Sequence, residues 1–268
     1  MICVDRYAGY PLSGLQSTCA TTTSKNFSWT NDGSGTIAMF VDDQILSIPT
    51  NTVNKPVYGL LSEAKGVIPD VYNWVESNID LILEFCLGVF THDEELSNKK
   101  GFIYCLPSAC SWIKNSQLPA KTKMISMITS NKSFTPGHVK RLEILEKFRS
   151  SVDLYGRGFN EIASKEEGLD EYFFSIVVEN CIYPGMFSEK ITDAFVTKTI
   201  PVYYGTETIS KYFDMNGVIM LDDNFDIGTL SSDLYYSKMN AVNKNYEIAI
   251  NLPTPEDYMA KYISGAEW

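Results

Sequence analysis

Histidine is nearly absent, with two in 268 residues, and the six cysteines include no Cys-x-x-Cys pair. Neither His92 nor His138 has a partner at ligand spacing, so no structural or catalytic zinc site is expected. Positive charge is also scarce: 22 Lys+Arg against 33 Asp+Glu give a net charge of −11, which argues against a nucleic-acid partner. Long apolar runs are missing. The richest, Leu81 to Phe90, is interrupted by Glu84 and falls short of the roughly 18 residues of a membrane span. Met1 to Arg6 shows no basic region followed by an apolar run, so no secretory leader is expected and a cytoplasmic setting is the default. In that setting the cysteines read as reduced, mostly buried thiols. Asp-x-Asp is absent. The adjacent pairs Asp42-Asp43 and Asp222-Asp223 read as loop acids rather than a divalent-metal clamp, and Gly156-Arg157-Gly158 lacks the spacing of a dinucleotide fingerprint.

What is present is a globular composition, 44% hydrophobic and 13% aromatic, which excludes disorder as the main state. Short β-rich runs alternate with helical patterns. Strands are expected at Ile37–Val41, Val57–Leu61, Cys86–Phe90, Ile103–Leu106, Met124–Thr129, Val152–Tyr155, Tyr172–Val178, Ile200–Tyr204 and Gly217–Leu221. Val71, Trp74, Val75, Ile79 and Ile82 fall at helical spacing, as do Val139, Leu142, Leu145 and Phe148. The polar segment Ser17 to Gly35 reads as a loop, and Thr254-Pro255-Glu256-Asp257 as the start of a final helix. This β-α-β rhythm, interrupted near Ser116–Pro119, divides the chain into α/β domains at 1–117 and 118–268, the second carrying the terminal helix.

Charge is uneven. Residues 121 to 150 carry seven Lys+Arg against Glu143 and Glu146, either a solvated basic helix face or a local positive field for an anion. His138, at the helix start in this window, is a weaker candidate for a phosphate contact. His92, beside Asp93, reads as a structural loop histidine.

The segment from Tyr172 to Phe213 holds most of the chemistry. A buried strand ends in Glu179-Asn180, a loop leads to Ser188-Glu189-Lys190 at a helix mouth, and a second buried strand ends in Gly205. Unpaired amides at Ser188 to Ile191 would favour an anion, and Lys190 would add a full charge. Each part also has a structural reading: Glu179-Asn180 can satisfy loop amides, and Ser188 is a good N-cap in any context.

Glu179-Asn180, then Glu189-Lys190, Asp193-Ala194 and Ile200-Pro201-Val202-Tyr203-Tyr204-Gly205 resemble, in order and spacing, the C-terminal signature of glycosyltransferase family 10, the α-1,3/1,4-fucosyltransferases. The resemblance extends backwards through Thr129–Lys132, the helix with Arg141, and Val152–Gly156. More thinly, it takes in Ser62-Glu63-Ala64 and Val89–Leu96. It implies a GT-B architecture, two Rossmann-like domains facing each other across a cleft, with a GDP-sugar held by the second. Carried across by position, Glu189 would bond the ribose hydroxyls, Lys190 and Arg141 the diphosphate, and Asn180 the nucleotide, while Glu63 matches the catalytic base. In an inverting transfer a carboxylate takes the acceptor proton while cations stabilise the leaving diphosphate, so these residue types suit the reaction. A metal-independent transfer of a hexose, fucose first, from a GDP-sugar to a glycan hydroxyl is the expected function.

The chain departs from the family pattern at Met186, where an aromatic hydroxyl is common, and in its short acceptor-side half. Two alternatives therefore stand beside the first reading: a transferase using another GDP-hexose such as GDP-mannose, and a non-catalytic nucleotide-sugar or glycan-binding protein.

Overall fold

The computed structural model describes residues 1–8, 18–19, 21–114 and 116–266, which form two compact α/β units. Unit 1 comprises Met1–Ser108, Tyr183–Met186 and Pro253–Trp268; unit 2 comprises Ala109–Ile182 and Phe187–Leu252.

In unit 1 the strands are β1 (Ile2–Tyr7), β2 (Phe27–Thr30), β3 (Ile37–Val41), β4 (Val57–Leu61), β5 (Val89–Thr91) and β6 (Phe102–Tyr104), with helices α1 (Pro69–Ser77), α2 (Ile79–Ile82) and α3 (Glu94–Ser97). All neighbouring strands are parallel, in the order β2-β1-β3-β4-β5-β6. Sheets of this kind are covered on both faces, which is why β3 and β4 read as unbroken apolar runs and are buried throughout. One face packs Phe40, Leu61 and Val89 against Tyr72 and Val75 of α1, and the other packs Met39, Leu60 and Phe90.

Unit 2 contains β7 (Lys123–Ile128), α4 (Pro136–Phe148), β8 (Asp153–Tyr155), β9 (Tyr172–Val178), α5 (Glu189–Val196), β10 (Ile200–Tyr204), β11 (Ile219–Met220), α6 (Ser232–Ser237) and α7 (Met239–Ile250). Its sheet is again all parallel, in the order β11-β10-β9-β7-β8. The chain moves from β7 outward to β8, then returns to β7's other side for β9, β10 and β11. The strand order thus reverses between β7 and β9, and in open α/β sheets the crevice beyond the carboxyl ends at such a point is where ligands bind.

Three sequence expectations are corrected here. The segment expected as a loop from Ser17 to Gly35 contains β2, paired in parallel with β1; Ser17 itself lies outside the described residues. β1 has no counterpart among the expected strands because Asp5 and Arg6 interrupt its apolar pattern, yet both are buried. Asp5 is held by Thr30 Oγ1 at 2.5 Å, the Gly35 amide at 3.1 Å and the Lys55 ammonium at 2.5 Å. Gly35 is required there, since a Cβ would lie 2.4 Å from the Asp5 nitrogen. The strand expected at Cys86–Phe90 begins only after Gly88, at Val89.

The third correction concerns the domains. The first unit's main segment ends at Ser108 rather than at residue 117, and the final helix, α8 (Pro255–Ser264), belongs to unit 1 rather than to the second domain. Thr254 and Asp257 form its capping box as expected. Its Met259 and Ala260 enter the apolar face of the unit 1 sheet, and its buried Glu256 accepts from Trp29 Nε1 at 2.9 Å. Among the described residues no helix is long and apolar enough to cross a membrane.

Candidate nucleotide-sugar site

At the strand-order reversal of unit 2 lies a cavity of about 430 Å³. Its walls include Ile128 to Ser130 at the end of β7, Gly156 and Arg157 after β8, Ile176 to Val178 of β9, and Glu189, Lys190 and Asp193 of α5. Five cationic side chains, Lys132, Arg141, Arg157, Lys165 and Lys190, line it against two carboxylates, Glu189 and Asp193. In a chain of net charge −11 this is a local field of opposite sign.

Arg141 and Lys190 are placed by distinct local devices. Arg141 is buried in the second turn of α4; its Nη2 donates to the Ser130 carbonyl and hydroxyl, both at 3.2 Å, while Nε has no hydrogen-bond partner. α4 starts at this place because Thr135 caps it through the His138 amide at 3.2 Å and Pro136 occupies its first position. Lys190 Nζ donates to Ser188 Oγ at 3.1 Å and lies 3.6 Å from Glu189 and 3.9 Å from Glu179. Burial works to lower its pKa, but these two carboxylates outweigh it and hold the ammonium above its ordinary value. Burial likewise works to raise the pKa of Glu189, and Lys190 and Lys165 more than reverse it. Both groups are therefore charged at neutral pH.

The helix mouth is occupied differently from the expectation of unpaired amides. Glu179, fully buried at the end of β9, accepts from the Ser188 amide at 3.0 Å and the Ser188 hydroxyl at 2.6 Å. Ser188 Oγ in turn accepts from the Lys190 amide at 3.4 Å, and the Ile191 amide donates to the Ser188 carbonyl at 3.3 Å. Glu179 thus takes the structural role open to it in sequence, and burial raises its pKa despite Lys190 and Ser188. Anion attraction here comes from side-chain cations.

Of the expected residues, Arg141, Glu189 and Lys190 share the cavity wall. Asn180 is not among the lining residues. Its main chain abuts α4, where a Cβ on Gly137 would lie 1.8 Å from the Asn180 carbonyl oxygen, and its Oδ1 is buried without a hydrogen-bond partner. His138 Nδ1 is a further buried atom without one; burial, then Arg141, Lys132 and Lys190, disfavour its protonation. The basic window divides. Lys132 and Arg141 reach the cavity, whereas Lys121 donates to the Leu169, Asp170 and Thr197 carbonyls and Thr199 Oγ1, and Lys123 pairs with Glu171 at 2.8 Å.

Glu63 belongs to unit 1. Its side chain is exposed, its amide donates to Asp42 Oδ1 at 3.0 Å, and its carbonyl accepts from Tyr72 OH at 3.0 Å. Asp42 is no loop acid: it is buried, adopts a left-handed φ of +53°, and accepts from the Ser62 amide at 2.8 Å as well. Burial pushes its pKa up to about 6. His92 is buried, with Nε2 2.7 Å from the Tyr183 hydroxyl, and burial depresses its pKa to about 4. Asp222, of the other adjacent pair, caps a turn through the Asn224 amide at 2.9 Å. Among the described residues no three His, Cys, Asp or Glu side chains are grouped to hold a metal ion.

Sequence reasoning missed Trp112, Arg157 and Lys165. Arg157 had a usable signal, since it lies two residues after a strand adjoining the reversal point, whereas Trp112 and Lys165 come from connections whose paths only the fold reveals.

Residues 118–247 match the family model described as Glycosyltransferase family 10 (fucosyltransferase) C-term. Residues 118–247 thus carry the C-terminal domain of glycosyltransferase family 10. The matched stretch spans most of unit 2, including Arg141, Asn180, Glu189 and Lys190. Similar proteins include the alpha-(1,3)-fucosyltransferase FucT of Helicobacter pylori, 29% identical over 59% of this chain and 34% of that protein. A second is the human 4-galactosyl-N-acetylglucosaminide 3-alpha-L-fucosyltransferase 9, 24% identical over 51% of this chain and 41% of that protein. The chain thus aligns with well under half the length of either relative. In fold, a crystal structure of an alpha1,3-fucosyltransferase with GDP-fucose matches at a TM-score of 0.57, 12% identity, covering 98% of this chain and 89% of that one. The likeness in fold, of GT-B type, therefore covers residues of both units.

Proposed function

We propose that this protein transfers a hexose, fucose first, from a GDP-sugar to a glycan hydroxyl with inversion and without a metal ion. The observation that carries the proposal is the cation-lined cavity at the strand-order reversal of unit 2, whose five cations all lie inside the matched family domain. It is supported by similarity to relatives named as fucosyltransferases and by the fold shared with an enzyme crystallised with GDP-fucose.

In this reading Arg141 and Lys190 hold the diphosphate, and Glu189 accepts hydrogen bonds from the ribose hydroxyls. Asn180, which does not line the cavity, keeps its assignment to the nucleotide from the family resemblance alone. The acceptor hydroxyl attacks the anomeric carbon as the bond to the diphosphate oxygen breaks. A carboxylate, assigned to Glu63, takes the hydroxyl proton, and GDP leaves with its added charge stabilised by the cations. Those fixed cations perform the electrostatic work that a divalent ion does in other transferases, which supports metal independence. The six free cysteines fit a reducing, cytoplasmic setting.

The test is a transfer and donor-hydrolysis assay with GDP-fucose and GDP-mannose, in the presence of a chelator, on wild type, Glu63→Ala and Lys190→Ala. Transfer by wild type, abolished in Glu63→Ala with GDP affinity intact, is expected. One observation favours a second reading, a nucleotide-sugar-binding protein without transfer: the family model does not reach residues 1–117, among which Glu63 lies. GDP-fucose binding by wild type with no turnover on a panel of glycans would decide for it.

A further inference from the structure

Trp112 is 53% exposed, although the loop that carries it is firmly held. Its amide donates to Asp193 Oδ1 at 2.7 Å, beside a second bond to the same oxygen from Ser111 Oγ at 2.7 Å. Asp193 is itself buried on α5, so the main chain under the indole is anchored to the helix that presents Glu189 and Lys190. The ring lines the cavity, and the Lys165 ammonium lies over it, 4.4 Å from the ring centroid. Lys165 also ion-pairs with Asp193 and lies 3.4 Å from Glu189 Oε1. One cation therefore fixes two things together: the direction of the Glu189 carboxylate and the plane of the indole next to it.

We propose that Trp112 is the stacking platform for the nucleobase of the donor. The inference rests on the reading of Glu189 as the ribose contact. A base is joined directly to the ribose, so a ribose bonded to Glu189 brings its base to the immediate surroundings of that carboxylate, where the indole is the aromatic surface lining the cavity. A flat, anchored ring suits a flat base, and stacking needs no hydrogen-bond match. Lys165 contributes by holding the ring through a cation–π contact.

The experiment is calorimetric titration of wild type, Trp112→Ala and Trp112→Phe with GDP and, separately, with inorganic pyrophosphate. Wild type binds both ligands. Trp112→Ala binds GDP about tenfold or more weakly, the scale of a lost base–aromatic stack, with pyrophosphate affinity unchanged; Trp112→Phe restores most of the GDP affinity. Trp112→Leu, apolar and bulky without an aromatic face, carries the same test should the alanine variant not fold. Unchanged GDP affinity without the ring overturns the proposal. So does an equal loss of GDP and pyrophosphate, which would make Trp112 a support for Lys165 and Asp193 alone. Wild type that binds pyrophosphate but not GDP also refutes the platform, whereas wild type that binds neither refutes the donor-site reading on which it stands.

Discussion

Gly137→Ala reverses the usual sign of a glycine replacement within a helix. In an ordinary helical turn alanine gains about 0.5 to 1 kcal/mol over glycine, because the unfolded chain loses freedom. Here the added Cβ would lie 1.8 Å from the Asn180 carbonyl oxygen and 2.3 Å from its carbon. Those are main-chain atoms at the end of β9, so no side-chain rotation relieves the contact. The two segments must separate by about 1.2 Å merely to reach the 3.0 Å below which real Cβ contacts are essentially never seen. Overpacking of this kind costs about 1 to 3 kcal/mol or more, and a 1.8 Å contact with main-chain atoms puts it at the upper end, so with the helix-propensity gain subtracted the expected net destabilisation is about 2 kcal/mol. For a chain of this size that lowers Tm by roughly 4 to 8 °C in a thermal melt. GDP affinity should fall as well, since α4 carries Arg141 and β9 leads to Asn180. An unchanged or raised Tm would refute the packing argument.

Glu179→Ala leaves the buried Ser188 amide and hydroxyl without their acceptor, so it should destabilise by about 2 to 4 kcal/mol in denaturant unfolding; Glu179→Gln, which keeps one acceptor oxygen, should lose less. Asp42 carries a pH signature. Burial raises its folded pKa to about 6, with Glu63 adding to the rise, against an ordinary value of 3.8. The native state therefore binds more protons than the unfolded chain between about pH 4 and 6. The stability this contributes is complete below that window and lost as pH rises through it, about 2 to 3 kcal/mol in all. Asp42→Asn keeps an acceptor for the Ser62 and Glu63 amides and tolerates the left-handed backbone, so its Tm relative to wild type should be higher at pH 7.5 than at pH 4.5; a constant difference would contradict the assignment. Lys190→Ala should weaken GDP binding by roughly 10- to 150-fold, the range of a charge-assisted contact of about 1.5 to 3 kcal/mol, and unchanged binding would remove Lys190 from the site.

The strands legible in sequence were those whose burial is simplest. β3, β4, β9 and β10 are covered on both faces and appear as apolar runs with the expected limits. β1 was illegible because Asp5 is neutralised by Lys55 and Thr30, partners 50 and 25 residues away that no local pattern reveals. α8 was recognisable as a helix from its cap, but its unit was not, because Met259 and Ala260 meet the β1–β3 sheet only through the fold. At the site, Glu189 and Lys190 were found because they are adjacent in a motif, and Arg141 because it lies on a patterned helix. Trp112 and Lys165 were not, since a shared contact with Asp193 joins segments 53 residues apart in the chain. The amides at the mouth of α5 looked available for an anion until Glu179 was seen to occupy the Ser188 amide from the end of β9.

The central claim is that the cavity of unit 2 takes a guanine nucleotide sugar. Its most direct test is calorimetric titration of the whole chain with GDP-fucose, GDP-mannose, GDP, UDP and UDP-glucose, with thermal melting as the linked readout. Saturable binding and a rise in Tm with the guanine ligands, and little with the uridine ones, is the predicted result. No heat and no shift with any of them, or a preference for uridine ligands, would contradict it.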